Sequence, residues 1–277
     1  MTRPRVFVSS SDISADTVSV SGADARHLAV VLRLRPGDAF TAIDEFGRQH
    51  RARVGSVQPR LVTGSITEVV AEETEPRTRI VVAQALPKGA RMDLVVQKCT
   101  ELGAADIWPM VTERVVVSMD EERAAERRER WQRVAREAAR QAGRSVIPEV
   151  AEVAPFAEVL KRAASRDLCL LFTEEEPQTS LRGILGGGIR ASSVVVLIGP
   201  EGGFARAEVA AAEQAGAVQV TLGPRVLRTE TAAVVATALC LYELGELERV
   251  QAAEGRRLEA GGRRQETGEG GRESGGG

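Results

Sequence analysis

Two loops near the carboxyl end of the chain hold the residues best suited to bind a small molecule. The first is IGPEGGF at 198–204 and the second is LGPRVLRTETAA at 222–233, and each follows an apolar, β-branched run. Gly199, Gly202 and Gly203 lack Cβ, so their backbone can adopt positive φ and approach a flat ligand closely. Because both runs read as buried strands, the loops are expected to open at one edge of an α/β sheet, where such folds bind small molecules.

The charged and hydroxyl side chains of these loops define the chemistry that is available. Thr229, Glu230 and Thr231 stand where an Ala- and Leu-rich helix begins, so a threonine is predicted to cap the free N–H groups of its first turn. Arg228, just before them, is predicted to be a cation at the rim of the pocket. Glu201 and Glu230 can each accept a proton, or can simply cap a loop or a helix.

Signatures for phosphate and metal binding do not occur in the expected places. A P-loop needs Gly-Lys-Ser or Gly-Lys-Thr after its glycines and a dinucleotide fold needs Gly-x-Gly-x-x-Gly, and neither pattern follows either strand. The cysteines are isolated and the chain has only two histidines, so zinc or a disulfide framework has too few ligands and no metal is expected. The residues concerned are Cys99, Cys169, Cys240, His27 and His50.

The composition is that of a globular protein and not of a general polyanion binder. The 277 residues are 43% hydrophobic and 3% aromatic, and 37 Lys and Arg against 39 Asp and Glu give a net charge of −2. Non-specific RNA affinity depends on phosphate neutralisation, and single-strand binding depends on stacked aromatic rings, so RNA contacts must come from local patches. With no long apolar run and no signal-like amino terminus, we predict a cytoplasmic location and no membrane partner.

The elements that position the loops divide into two predicted domains and a tail. Residues 1–74 contain short strand-like pieces and one helix-like stretch at 23–34, which indicates a small β module. After the polar, linker-like segment EETEPRT, strands and helices alternate through residues 75–250, which predicts a parallel α/β sheet. Residues 251–277 are rich in Gly, Glu and Arg, and this composition predicts a disordered tail.

An arginine-rich segment is predicted to form a helix with one basic side. The basic positions recur at spacings of three and four residues, opposite an apolar stripe that begins at Trp131, and they are Arg133, Arg136, Arg140 and Arg144. Because glutamates are interspersed, a solvated helix face is one interpretation. A surface near RNA or a subunit interface is the other.

Five ordered motifs resemble those of one known family. They are RHLAVVLRLRPGD at 26–38, PKGARMDLVVQKCTELG at 87–103, EAARQAGRSVIPEV at 137–150, and the loops LIGPEGGF and LGPRVLRTETAA. Together they resemble the RsmE family, within the SPOUT class of S-adenosylmethionine methyltransferases, which methylates N3 of a uridine in the 16S RNA of the small ribosomal subunit. The resemblance covers residues 1–250.

The resemblance implies a fold and partners that periodicity alone does not reveal. For residues 75–250 it implies a SPOUT domain, whose α/β architecture threads a parallel sheet into a trefoil knot, an exception to the usual absence of knots. For residues 1–74 it implies a PUA-like β-barrel that holds RNA. It also implies a homodimer with the cofactor pockets beside the interface, with S-adenosylmethionine as cofactor and 16S ribosomal RNA as partner.

The resemblance also assigns residues to two sites. For the cofactor, with adenine read chiefly by loop backbone groups, the expected residues are Thr173, Ile198, Gly199, Pro200, Glu201, Gly202, Gly203, Leu222, Gly223, Leu227, Arg228, Thr229, Glu230, Thr231 and Ala232. For RNA, the expected residues are Arg26, Arg33, Arg35, Lys88, Arg91, Arg140 and Arg144.

The implied reaction needs alignment and no covalent nucleophile. Methyl transfer from a sulfonium is an in-line displacement, for which positioning alone can supply about 7–11 kcal/mol. The uracil must be unpaired or flipped, and it must lose its N3 proton. Arg228 and Glu201 are the predicted catalytic residues: Arg228 stabilises the uracil anion, and Glu201 or Glu230 accepts the proton.

Other functions are compatible with the same loops. A methyltransferase of the same class can act on transfer RNA or on a ribose 2′-hydroxyl, and a protein of this fold can also bind RNA or assist ribosome assembly without catalysis. Mass mapping of the modified nucleoside distinguishes the other methyltransferases. A lack of cofactor binding would favour the non-catalytic role. A nucleotide-dependent enzyme is the least favoured, because the phosphate-binding lysine is missing.

Overall fold

The computed structural model of the protein describes residues 3–70, 74–115, 121–174, 180–187 and 191–248. Residues 1–247 form one compact unit, to which residues 248–277 do not belong. The predicted tail, residues 251–277, lies outside the described residues. The division between residues 74 and 75 stays a prediction, since the two sheets of the protein belong to the same unit.

Six strands of the amino-terminal part pair into one sheet. They are β1 (Arg5–Phe7), β2 (Ile13–Ser14), β3 (Thr17–Ser21), β4 (Ala39–Ile43), β5 (Gln49–Gln58) and β6 (Leu61–Val70). Their order is β1-β4-β5-β6-β3-β2, with β1 and β4 parallel and the other neighbours antiparallel. Phe40, Val54 and Val62 are buried in its core. A small, mostly β module therefore stands at the amino terminus, and its closure into a PUA-like barrel stays a prediction.

A short helical stretch connects β3 to β4 and ends earlier than the sequence predicts. It comprises α1 (Gly22–Arg26) and one π-helical turn (His27–Val31), whereas the predicted helix ran to Leu34. Leu28 is fully buried and Leu34 packs against the same core, so the chain must reverse between them. Arg33 makes this reversal with a φ of 55°, which lies in the left-handed region and is incompatible with a continuing helix.

The remaining strands form a parallel sheet. They are β7 (Arg79–Ala85), β8 (Asp106–Val111), β9 (Glu149–Val150), β10 (Ala154–Pro155), β11 (Leu168–Phe172), β12 (Ser193–Ile198) and β13 (Val218–Val220). Their order is β10-β8-β7-β12-β11-β13, β9 also pairs with β8, and the pairs are parallel. The helices are α2 (Arg91–Leu102), α3 (Glu121–Ala142), α4 (Phe156–Ala163), α5 (Leu181–Leu185), α6 (Arg206–Gln214) and α7 (Thr229–Glu243). The predicted parallel α/β sheet is confirmed.

Helices cover both faces of this parallel sheet. Helices α2, α3, α5 and α7 contribute to one apolar cluster, which includes Val95, Trp131 and Ala236. Helices α4 and α6 contribute to the other, which includes Phe156 and Ala212. Strand β12 is buried along its whole length, and burial on two faces explains its unbroken apolar sequence. The knot that the resemblance implies stays a prediction.

Arg144 is buried where α3 ends, which corrects its predicted place on the basic side of that helix. The helix stops two residues earlier, and Gly143 takes a φ of 75°, as glycine commonly does after a helix. The guanidinium donates to the carbonyl oxygens of Thr100 and Ala104, at 3.1 and 2.7 Å, and to the carboxylate of Glu75. Because Arg144 is only 5% exposed, its charge holds the protein together and does not face RNA.

The segment EETEPRT, expected to be a simple linker, is anchored over its described part. The carboxylate of Glu75 also accepts a hydrogen bond from the backbone N–H of Ser145, at 2.8 Å. The backbone N–H groups of Arg77 and Thr78 donate to the carboxylate of Glu246, at 2.9 and 2.8 Å. These contacts fix the chain at the start of β7, so the segment is not a flexible spacer there.

Replacing Arg144 with methionine is expected to lower the free energy of unfolding by about 2–3 kcal/mol, because it removes the buried hydrogen bonds of the guanidinium to Glu75 and to the carbonyl oxygens of Thr100 and Ala104. Urea unfolding of the full chain measures this change. The matched control is Arg79→Met, since Arg79 pairs with Asp106 but its side chain is 56% exposed; this control should lose less than about 1 kcal/mol. Equal losses in the two variants would contradict a structural role for Arg144.

Candidate active site

Three loops meet at the carboxyl edge of the parallel sheet. Strand β11 lies between β12 and β13, and the register pairs Phe172 with both Ile198 and Val220. The loops that follow these strands therefore start side by side. The N–H of Thr173 donates to the carbonyl oxygen of Val220, 3.0 Å away, which joins the loop after β11 to the end of β13. The structure thus brings together the three segments that the sequence assigned to the cofactor.

The loop after β12, residues 199–205, is built around a tight turn. Gly203 has a φ of 67°, and its N–H donates to the carbonyl oxygen of Pro200 at 2.9 Å. Gly199 and Gly202 lie outside the positive-φ region, which corrects the expectation for these two. Gly199 is required for a different reason: an added Cβ would lie 3.2 Å from the ring of Phe204, which is closer than ordinary side-chain contact.

The hydroxyl of Thr229 ties the two predicted loops together. It donates to the carbonyl oxygen of Gly199 at 2.5 Å and accepts from Nε2 of Gln84 at 2.9 Å. The prediction that a threonine side chain caps α7 is therefore wrong for Thr229; the N-cap is Arg228, with no side-chain cap. Gln84 was not among the predicted site residues, although a polar residue inside the apolar run IVVAQAL was a signal, since a buried polar group needs a partner.

The loop after β13 leads along the surface into α7. Gly223 has a φ of 98°, and no atom lies within 4 Å of the place where its Cβ would stand, so its backbone is open to a ligand. Leu222 is half-buried and packs against the core. The carbonyl oxygen of Arg228 accepts from the N–H of Ala232 at 2.8 Å, which begins the helix. Where the loop joins α7, the side chains of Arg228 and Thr231 are exposed, and those of Leu227 and Ala232 are half-buried.

Arg91, at the start of α2, bridges the carboxylates of both loops. Its Nη1 donates to Oε1 of Glu201 at 2.5 Å, and its Nε lies 3.6 Å from Oε1 of Glu230. The backbone N–H of Lys88 also donates to Oε1 of Glu201, at 2.9 Å. Burial raises the pKa of Glu201, but the hydrogen bonds from Lys88, from its own backbone and from Arg91 outweigh this and leave the pKa lowered. Glu201 is therefore held as a carboxylate.

Two buried oxygen atoms beside these loops have no hydrogen-bond partner among the described residues. They are Oε1 of Gln84 and Oε2 of Glu230, and these residues are 0% and 7% exposed. An unpaired buried acceptor costs about 1–3 kcal/mol, and it commonly marks a place where a ligand supplies the donor. The Oε1 acceptor of Gln84, the half-buried Leu222 and the open backbone at Gly223 together fit S-adenosylmethionine, which combines a flat ring with N–H donors.

The residues expected to contact RNA fall into an exposed group and an engaged group. The exposed group is Arg26, Arg33, Arg35 and Lys88. The engaged group is Arg91, which binds Glu201, Arg140, which binds Glu137, and Arg144, which is buried. The structure therefore leaves the first group available for a polyanion, and three of its members belong to the amino-terminal β module.

A cleft between the β module and α3 is unsuited to RNA. Its volume is about 450 Å³, and its lining includes the carboxylates of Asp12, Asp24, Asp44 and Glu45. Arg136 also lines it, but its guanidinium is paired with Asp24 at 2.8 Å. Because RNA affinity depends on neutralised phosphates, an acidic cleft repels this ligand.

Other chemistry finds little support in the part of the chain that the structure describes. There, no cluster of three or more His, Cys, Asp or Glu residues is arranged to hold a metal ion. Over the same residues, the helices are too short or too polar to cross a membrane. Burial raises the pKa of Cys99, Cys169 and Cys240 to about 12, so these thiols stay protonated and pack as small apolar groups.

Comparisons with known proteins place this arrangement in a family. A family model described as an RNA methyltransferase domain matches residues 73–241. The chain is 34% identical over 233 residues to the ribosomal RNA small subunit methyltransferase E of Bacillus subtilis, covering 83% of this chain and 91% of that protein. It is 36% identical over 222 residues to the protein of the same name from Mycobacterium tuberculosis, covering 78% and 83%.

Solved structures give the same result. The chain is 33% identical to a ribosomal RNA small subunit methyltransferase E from Neisseria gonorrhoeae bound to S-adenosylmethionine, with a TM-score of 0.78 and coverage of 87% and 98%. It is 30% identical to a methyltransferase of Legionella pneumophila in complex with the same cofactor, with a TM-score of 0.80 and coverage of 87% and 98%. On the sequence matches and on the shared fold, this chain belongs to the ribosomal RNA small subunit methyltransferase E family.

Proposed function

We propose that this protein transfers a methyl group from S-adenosylmethionine to N3 of a uridine in the 16S RNA of the small ribosomal subunit. The observation that carries the proposal is that three strand-end loops meet beside the buried oxygens of Gln84 and Glu230, which have no partner in the described part of the chain, with Arg228 exposed at the rim. Family membership supports the reaction, and a relative of known structure binds S-adenosylmethionine.

The cofactor is proposed to lie against the loops after β11, β12 and β13. When bound, S-adenosylmethionine supplies an electrophilic methyl group on a sulfonium. Backbone groups around Ile198, Leu222 and Leu227 would read the adenine, and the open backbone at Gly203 and Gly223 would offer further hydrogen-bonding groups. Thr229 holds the loops after β12 and β13 in register through Gly199. The remaining residues assigned to the cofactor from sequence line the same loops and stay part of this proposal.

Replacing Gly199 with valine is expected to weaken S-adenosylmethionine binding about tenfold, because the new side chain must displace the ring of Phe204 and with it the loop. Calorimetric titration of the purified chain measures this. The control is Gly55→Ala on β5 of the amino-terminal sheet, whose Cβ would make ordinary contact with Thr63 at 3.7 Å and which should leave the Kd unchanged. Unaltered cofactor affinity in the properly folded Gly199→Val variant would remove this loop from the site.

Proton removal from the uracil is proposed to use Glu230, and the contacts of the two carboxylates support this choice. Glu201 already accepts hydrogen bonds from Lys88 and Arg91, and its pKa is lowered. Glu230 has one oxygen near Arg91 and one without a partner among the described residues. Two donors on one oxygen and a lowered pKa make Glu201 a weak base, so Glu201 is assigned to hold the loop and Glu230 to take the N3 proton.

Arg228 is proposed to stabilise the negative charge that develops on the uracil when the N3 proton leaves. Its backbone begins α7 and its side chain is exposed beside the pocket. Because the backbone of Arg228 is fixed at the start of α7, its guanidinium stays close to the pocket, where a nearby cation lowers the barrier by meeting the developing charge. The nitrogen lone pair then attacks the methyl carbon while the sulfonium carbon–sulfur bond breaks.

The remaining architectural predictions are part of the same proposal. We propose a PUA-like RNA-binding domain at 1–74, a knotted SPOUT domain at 75–250 and a tail at 251–277; family membership supports the first two. Helices α2 and α7 pack against each other. Apolar side chains exposed on these two helices support a homodimer, and they are Leu94, Leu239 and Tyr242. A cytoplasmic location follows from the proposed ribosomal substrate.

One experiment tests the function directly. Small ribosomal subunits that lack the modification and, separately, bulk transfer RNA are incubated with the protein and labelled S-adenosylmethionine, and the label is located by mass mapping. A label on N3 of a single uridine of 16S RNA is the expected result. A label on transfer RNA or on a ribose 2′-oxygen would replace the proposed substrate, and failure to bind the cofactor would favour a non-catalytic assembly role.

A further inference from the structure

An apolar tip projects from the amino-terminal module. It consists of Val30, Val31 and Leu32, which are 49%, 64% and 41% exposed, at the end of the π-helical turn. Three consecutive apolar side chains on a surface contribute nothing to the core and lower solubility. Because the module could fold with polar residues here, the tip calls for a binding partner.

The backbone holds this tip in a fixed and costly conformation. Leu28 and Leu34 anchor its two sides in the core of the module, and the N–H of Leu34 donates to the carbonyl oxygen of Leu28 at 3.0 Å. Between them, Arg33 is the one non-glycine residue with positive φ in the described part of the chain. A π-helical turn and a left-handed arginine are both uncommon and concentrate at functional sites. The backbone therefore holds the exposed side chains of the tip in one fixed orientation.

The charges around the tip favour a polyanion as its partner. Arg26, Arg33 and Arg35 are exposed on either side of it, and within the described residues their side chains form no ion pair. A basic border around an apolar centre matches RNA, whose phosphates would meet the arginines while bases or riboses meet the apolar side chains.

Two alternatives fit the tip less well. A second copy of this chain would need about 800 Å² of contact on each side, which three side chains cannot supply. Stacking of bases on aromatic rings is the usual way to hold unpaired RNA, but the chain is only 3% aromatic. An aliphatic wedge would serve where aromatic platforms are scarce.

We propose that Val31 and Leu32 form a wedge that packs into an unstacked or widened region of the RNA substrate, with Arg26, Arg33 and Arg35 on the adjacent phosphates. The inference rests on the proposed function, because it takes ribosomal RNA to be the substrate. It also separates two contributions to RNA affinity: the arginines contribute the part that depends on salt, and the wedge contributes a part that does not.

The test compares RNA affinity across a series of salt concentrations, with unmodified 16S RNA transcribed in vitro as the probe. The double variant Val31→Ser with Leu32→Ser should raise the Kd about tenfold without changing the slope of log K against log salt. Arg26→Ala and Arg35→Ala should each reduce that slope by about 0.7 to 0.9. The control is Val69→Ser on β6, which removes a 56% exposed side chain of the same module and should leave the Kd unchanged.

Each outcome of this test supports or overturns the proposed wedge. The wedge is overturned if the double variant binds RNA with unchanged affinity while its S-adenosylmethionine binding and unfolding midpoint are also intact. It is also overturned if the variant is defective only with assembled subunits, because that result would indicate a protein partner. Should the double variant misfold, the single variant Val31→Thr, which keeps the shape of the side chain, must show a smaller loss of the same kind. Weak RNA binding by the unaltered protein would overturn the proposed function together with the wedge, whereas tight binding without methylation would overturn only the function.

Discussion

Replacing Arg228 with alanine is expected to lower kcat for methylation about 10²–10³-fold while the Kd for S-adenosylmethionine stays unchanged. The factor is the usual loss when one preorganised charge-stabilising group is removed from an active site. The fold should survive, because α7 begins through the backbone carbonyl of Arg228 and not through its exposed guanidinium. Single-turnover methylation of small subunits gives the rate, and calorimetry gives the cofactor affinity.

The neighbouring Arg225 provides the control for this prediction. Arg225 is also exposed and lies three residues earlier in the same loop. Arg225→Ala therefore removes one positive charge from the loop but leaves Arg228 in place next to α7. A loss of equal size in both variants would indicate a general electrostatic effect on RNA binding. Normal turnover by Arg228→Ala would exclude Arg228 from the mechanism. Partial recovery in Arg228→Lys is expected, since charge is kept while geometry is not.

Much of the fold could be predicted because its signals are local. The strands of the parallel sheet stand out as runs of β-branched residues, since helices bury both of their faces. The apolar residues of α2 recur at helical spacing and are followed by a glycine, which is typical of a helix end, and Gly103 ends the helix with a φ of 114°. The glycine-rich loops were located because they follow such strands directly.

The errors arose where a distant partner decides the structure. Arg144 continues the spacing of the helical arginines, but Gly143 ends the helix, and Glu75, 69 residues away, takes the guanidinium. Thr229 has the sequence position of a cap, yet its hydroxyl binds Gly199 and Gln84 because the parallel sheet brings those residues to it. Spacing in one segment carries no information about such partners.

The sequence also left the choice between two carboxylates open, because both Glu201 and Glu230 follow strand ends with suitable chemistry. Only the tertiary structure reveals that Lys88 and Arg91 both donate to Oε1 of Glu201, and that Oε2 of Glu230 has no partner among the described residues. The exposed tip at Val31 was likewise hidden in an ordinary apolar pattern, since periodicity cannot predict a π-helical turn.

Replacing Glu230 with glutamine is expected to reduce kcat about 10²–10⁴-fold, the usual contribution of a general base. The amide keeps the size of the side chain but cannot accept the N3 proton. The deficit should shrink as the pH rises, because a growing fraction of the uracil is deprotonated by solvent before it reaches the site. Rates measured across a pH series for the variant and the unaltered protein test this, with cofactor affinity measured in parallel.

The comparison with Glu201→Gln separates catalysis from positioning. Because the pKa of Glu201 in the folded protein is lowered, its charged contacts stabilise the loop at neutral pH and are lost only as the pH falls below 4.5 toward the lowered value. Glu201→Gln should therefore weaken cofactor binding a few-fold at neutral pH, and its remaining rate should show no recovery in alkali. If Glu201→Gln instead showed the large alkaline recovery and Glu230→Gln did not, the two roles would have to be exchanged.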